Sequence, residues 1–92
     1  MDLDWDPKKS DANRTKHGID FETAKELWQD ENRVEIRAPH PVEDRAIVIA
    51  RRHQKPWTGI YAVRGATLRI ISERRARKRE VALYEKEATG SD

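Results

Sequence analysis

The sequence predicts an α+β domain: a small antiparallel β-sheet with two N-terminal helices and one C-terminal helix, in the order β-α-α-β-β-β-β-α. Three observations predict it. Asp6-Pro7 and Asp20 are helix starts, with His17-Gly18 as a stop between them. From Arg33 onward the apolar period changes to two, and after residue 74 it becomes helical again. Helices segregated from a run of hairpin-linked strands favour an antiparallel sheet with helices packed on one face.

Leu3 and Trp5 alternate with Asp2, Asp4 and Asp6, the pattern of a short strand with one buried face. Asp6 supplies an N-cap and Pro7 a pre-set first helical residue, so a helix runs from there to Lys16. In the next helix Phe21, Ala24, Leu27 and Trp28 form an apolar stripe that reads as core. Val34 and Ile36 mark a strand ended by Pro39-His40-Pro41. Residues 45–52 and 57–64 are the arms of a hairpin around the loop 53–56, and Gly65-Ala66 turns the chain into a last strand, 67–73. Residues 74–88 form the last helix, with Val81, Tyr84 and Ala88 on one side, and 89–92 read as a disordered tail. Residues 1–88 therefore make one domain.

The 92 residues allow one modest core, because 39% of them are charged and only 36% hydrophobic. The net charge of +2 conceals an asymmetry: residues 1–32 hold nine acids and five bases, residues 33–92 eight acids and fourteen bases. Five cations fall within Arg74 to Arg79, so the second half is a candidate surface for an anion such as a polyphosphate. With no cysteine the chain has no disulfide, no thiolate chemistry and none of the usual zinc frameworks. The scattered acids offer no converging metal site, so no cofactor is expected. No stretch approaches the roughly 20 apolar residues of a membrane span, and the acidic N-terminus is unlike a signal peptide. A cytoplasmic location is expected.

Pairing Arg52 with Trp57 and Arg64 with Thr67 sorts the side chains by face. One face then carries Ala46, Val48, Tyr61, Val63, Leu68 and Ile70. The other carries Arg45, Ile47, Ile49, Arg51, Ile60, Ala62, Arg64, Arg69 and Ile71. An isoleucine stripe with an arginine rim fits a groove for a phosphodiester backbone, a partner's apolar segment, or both. The plainer reading pairs these arginines with Glu43, Asp44 or Glu73.

Trp5-Asp6-Pro7, Lys9, Asn13, Lys16-His17-Gly18-Ile19, Phe21 and Ala24 open a pattern that Arg69-Ile70-Ile71-Ser72, Arg74, Ala76, Glu80 and Tyr84 close. In combination and order these residues resemble the BrnT family of toxins from type II toxin–antitoxin modules, over residues 3 to about 85. The resemblance implies a RelE-like fold and an endoribonuclease held inactive by a cognate antitoxin, in a complex that represses its own promoter. The chain departs from the family pattern at Glu73, where a small residue is common, and in the segment from His53 to Trp57.

By that resemblance the reaction is metal-independent, with the RNA 2′-hydroxyl attacking the adjacent phosphorus. Such a site needs a clamp for charge developing on phosphate oxygens and a group that moves protons. Arg64 and Arg69 are the expected clamp, completed by Arg74. His17, Glu80 and Tyr84 are alternative proton-transfer groups, each rivalled by a structural role. Lys9, Asn13 and Lys16 share a helix face and, with Arg45, Lys78 and Arg79, are expected to hold flanking RNA phosphates. His40 and His53 receive no role. Ile47, Ile49, Ile60 and Ile71 are the expected antitoxin contact, and operator DNA is expected to be bound only through the antitoxin, since no helix-turn-helix pattern is present. The competing reading is a non-catalytic module that binds RNA or antitoxin and acts by occupancy.

Overall fold

The computed structural model describes residues 2–89. Residues 90–92 of the expected tail, and the side chain of Ala88, lie outside that description. The elements are β1 (Asp2–Asp4), α1 (Pro7–His17), α2 (Phe21–Ala24) continued by a 3-10 turn (Lys25–Gln29), β2 (Val34–Arg37), β3 (Arg45–Arg52), β4 (Lys55–Arg64), β5 (Thr67–Arg75) and α3 (Lys78–Thr89). The class is α+β. The sheet order is β1-β5-β4-β3-β2, antiparallel except for β1, which returns to pair parallel with the start of β5.

Local chemistry sets the helix ends. The Asp6 carboxylate accepts the Lys8 N–H at 2.9 Å, and Gly18 takes a left-handed φ of 83° while its N–H closes on the Arg14 carbonyl. Asp20 caps α2 through the Thr23 N–H at 2.8 Å. Phe21, Ala24 and Leu27 are fully buried, as their spacing predicts. Ala24 and Leu27 pack with Ile19 on the sheet face carrying Ala46, Val48, Ala50, Trp57 and Tyr61. Trp28 meets Tyr61 edge to face with ring centres 5.4 Å apart.

The strand register departs from expectation in two places. Arg64 does pair with Thr67, but Arg52 pairs with Lys55 rather than Trp57. His53 and Gln54 both adopt positive φ, 51° and 67°, so the turn has two residues instead of four and β4 resumes at Lys55. Because the shift is two residues, the sorting of side chains by face survives. The second departure is a bulge in β5: Tyr61 pairs with Ile70 but Ile60 with Ser72. The extra residue reverses the alternation beyond it. Glu73 therefore lies on the core face opposite Gly59, and Arg74 joins the arginine face opposite Thr58.

The last strand continues to Arg75 and the last helix starts at Lys78, not at residue 74. Nor do all helices share one face. Glu80 bonds to Thr58, and Arg51 stacks on Tyr84, so α3 lies across the arginine face at the Arg51 end. That face would otherwise leave Ile49 and Thr58 open; both are fully buried.

Candidate active site

The face opposite the main core divides into three zones along the strands. At one end the register sets Arg45, Ala62 and Arg69 in one row, with Arg64 on the same face two residues beyond Ala62. Adjacent strands are about 4.8 Å apart, so Arg45 and Arg69 lie roughly 10 Å from each other at the backbone. Arg45 Nε donates to Glu43 at 2.8 Å and Arg64 Nη2 to the other oxygen of Glu43 at 3.4 Å. Arg69 Nη1 donates to Asp4 at 3.3 Å. The plainer expectation, arginines paired with local acids, is thus met for Glu43; Asp44 takes Arg37 instead, and Glu73 takes none of them. These pairings are open to water: the side chains of Arg64, Arg69 and Arg45 are 58%, 33% and 31% exposed. Hydrogen bonds from Arg45, then Arg64, hold the Glu43 carboxyl below its ordinary range.

The middle zone is a closed polar knot. Arg74 grips Glu80 with two parallel bonds, at 2.8 and 2.9 Å. Glu80 also accepts the Thr58 hydroxyl and the Arg77 N–H, the latter a cap on the first turn of α3. With the Arg74 bonds leading, the Glu80 carboxyl is held down at about 2. Its row lies four residues along β4 from Ala62, about 13 Å at strand spacing, and farther still from Arg64. Arg74 is therefore committed to Glu80 and is not placed beside Arg64. A carboxylate so acidic and so fully bonded is a poor base.

At the far end, Tyr84 is buried and donates to Asp30 at 2.8 Å, while Arg51 stacks on its ring. Burial, then the Asp30 carboxylate, pushes the Tyr84 phenol up to about 12. Burial raises the Asp30 carboxyl as well, but the Arg51 N–H, Tyr84 and Asn32 bonds outweigh it and the net shift is downward. Glu26, Gln29, Asp30, Arg51, Arg52, His53 and Tyr84 line an open cleft of about 320 Å³ here. Tyr84 is thus separated from the arginine row by the length of β3, roughly 20 Å from Arg45 to Arg51.

The remaining expected residues are elsewhere. Asn13 is buried, and its amide is spent on the carbonyls of Ile19 and Glu73 and the N–H of Glu73, so it has nothing left for RNA. Lys9 and Lys16 are exposed on α1, along the outer edge of β5, and His17 ends the same helix half-buried. Lys78 and Arg79 are exposed at the start of α3. Ile36, Ile47 and Ile60 form a half-buried row that ends on Ser72, between the arginine cluster and α3, and Ile71, half-buried too, is the extra residue of the bulge beside it. Ile49 is fully buried and is not available to a partner, correcting that expectation.

The residue that sequence reasoning undervalued is Glu43, treated there only as an ion-pair acid. Its signal was the Glu43-x-Arg45 spacing, which puts both side chains on one face at a strand start. Among the described residues no three acids or histidines converge as a metal site would require, and no helix is long and apolar enough to cross a membrane.

A family model described as "Ribonuclease toxin, BrnT, of type II toxin-antitoxin system" matches residues 5–80. The chain belongs to the BrnT family. No curated protein matches it. The matched span contains the arginine row, Glu43 and the Arg74–Glu80 knot, whereas Tyr84 lies past its end. Membership makes this a ribonuclease toxin of a toxin–antitoxin system, with an antitoxin as its implied partner.

Proposed function

We propose that this BrnT toxin is a metal-independent endoribonuclease that cleaves at the open arginine cluster. The ribose 2′-hydroxyl attacks the adjacent phosphorus and leaves a cyclic phosphate and a free 5′-hydroxyl. The observation that carries the reading is that Arg45, Arg64 and Arg69 share one end of the sheet open to water, held by the half-buried Glu43 and the exposed Asp4. A phosphodiester offers several oxygens to those guanidinium groups and competes with Glu43 and Asp4 for them. Fixed cations placed where negative charge grows lower the barrier to phosphoryl transfer without reorganising at the moment of reaction.

Lys78 and Arg79 extend the positive surface for flanking phosphates. We infer likewise that the fold is RelE-like and the protein cytoplasmic. The antitoxin covers Ile47, Ile60 and the bulged Ile71 and thereby the neighbouring arginines, joining stability and inhibition in one contact. Operator DNA is reached through the antitoxin.

The test is purified, antitoxin-free protein with a defined RNA in EDTA, followed by mapping of the new ends. Cyclic-phosphate and 5′-hydroxyl ends, lost on Arg64→Ala and Arg69→Ala in folded protein, are expected. Intact RNA bound in a salt-sensitive way would replace cleavage with action by occupancy.

A further inference from the structure

We infer that Glu43 is the general base, its carboxylate taking the proton of the ribose 2′-hydroxyl. This rests on the cleavage reading above and supplies the proton acceptor that reading leaves unnamed.

The geometry selects Glu43 by position. It is the acid that touches two arginines of the cluster, Arg45 through one oxygen and Arg64 through the other. Asp4 touches Arg69 alone, and Glu80 is closed inside its own knot. Glu73 is buried on the opposite face, and Tyr84 and Asp30 lie at the far end of β3. Glu43 lies two residues before the first residue of β3, and the Val63 N–H fastens the intervening residue, Asp44, through its carbonyl at 2.8 Å. The carboxylate is thus anchored from both sides while remaining open to a substrate.

The two contacts differ in a way that suits a base. Arg45 holds its oxygen at 2.8 Å, whereas the Arg64 contact is 3.4 Å and easily exchanged. A phosphate arriving at Arg64 draws that guanidinium away. Glu43 then loses one of the bonds that hold its proton affinity down, and becomes more basic with RNA bound. Arg45 keeps it oriented. The groups facing it are Arg45 from β3 and Arg64 from β4, with Asp44 adjacent and itself paired to Arg37 of β2.

The step balances. The 2′-O–H bond breaks and its proton passes to Glu43. The O2′–P bond forms as the P–O5′ bond breaks, and the departing 5′-oxygen takes a proton from water. Glu43 returns its proton to solvent.

The competing role is a counter-ion that occupies the phosphate site until RNA displaces it. Full-length protein, a defined RNA and single-turnover kinetics separate the two. Glu43→Gln keeps the shape and removes the basicity. Its cleavage rate is expected to fall about 100-fold or more, with RNA affinity equal to or tighter than wild type. The wild-type pH–rate profile should carry an acidic limb in the carboxylate range, lost in Glu43→Gln and retained in a slower Glu43→Asp. A Glu43→Gln protein that cleaves as fast as wild type, or a wild-type profile without that limb, overturns the base role alone. Wild-type protein that leaves RNA intact overturns the cleavage reading and this inference together.

Discussion

Asn13 and Glu73, sixty positions apart, are joined like two strands of a sheet. The Asn13 amide donates to the Glu73 carbonyl at 2.9 Å and accepts the Glu73 N–H at 3.1 Å. β1 covers the outer edge of β5 only as far as Arg69, so beyond it this side chain stands in for the missing strand. A third bond, to the Ile19 carbonyl at 2.7 Å, ties the following loop to the same point. Asn13→Ala strands a buried N–H and two buried carbonyls and should destabilise by about 3 kcal/mol. Asn13→Asp should do no better, because a carboxylate cannot donate to either carbonyl. Urea denaturation of both variants tests this, with equal stability to wild type as the refuting result.

The side chain of Glu73 makes the opposite kind of contact. It is fully buried, neither carboxylate oxygen has a hydrogen-bond partner, and burial pushes its carboxyl well above the ordinary range. The native protein therefore holds this proton to higher pH than the unfolded chain does. Its contribution to stability is complete below the ordinary carboxyl value of about 4.5 and is lost as pH rises through the raised native value. Glu73→Met should raise the melting temperature above the ordinary carboxyl range and flatten the decline that sets in as pH rises past about 4.5. An unchanged decline would show that the slope comes from other groups.

Room for that carboxyl is made by Gly59. A Cβ there would stand 2.8 Å from Glu73 Cδ and closer still to its oxygens. Gly59→Ala should cost about 1–3 kcal/mol by overpacking, and much less in a Glu73→Ala background, where the two changes share one space. Additive effects in that double-mutant cycle would refute the coupling.

Glu80 reverses the pH sign of Glu73. Its native value of about 2 lies below the unfolded one, led by the Arg74 bonds. The knot therefore contributes fully above about pH 5 and is lost as pH falls toward 2, with a span on the order of 3 kcal/mol. Glu80→Gln should remove most of that acid-side dependence and loosen the first turn of α3. Acid denaturation curves that coincide for the variant and wild type would contradict it.

The starts of the first two helices and the arginine face were legible because they follow from local rules: capping side chains, a glycine stop and strict alternation. The two-residue turn was hidden because His53 and Gln54 hold positive φ without the usual Asn-Gly signature. Even so, a shift of two leaves faces intact. The bulge was the costlier omission. No glycine or proline marks Ile71, yet one extra residue there sends Glu73 into the core and Arg74 outward. Where α3 would lie was not readable either, since it depends on Glu80 meeting Thr58 and Tyr84 meeting Asp30, contacts remote in sequence. For the site, the arginine grouping was visible, but the distance of Arg74 and Tyr84 from it was not, because alternation fixes faces and says nothing of rows.

Tyr84 offers the sharpest test of that distance. If its phenol moved protons in cleavage, Tyr84→Phe would lower the cleavage rate and leave the fold alone. Its burial, its bond to Asp30 and the stacked Arg51 predict the reverse. Removing the hydroxyl leaves the Asp30 oxygen with the Arg51 N–H as its remaining partner. Stability should drop by about 1–2 kcal/mol, while single-turnover cleavage by the folded variant stays within about threefold of wild type. A hundredfold fall in rate with unchanged stability would move the reaction to the Arg51 end of the sheet, because the arginine row lies roughly 20 Å from the phenol.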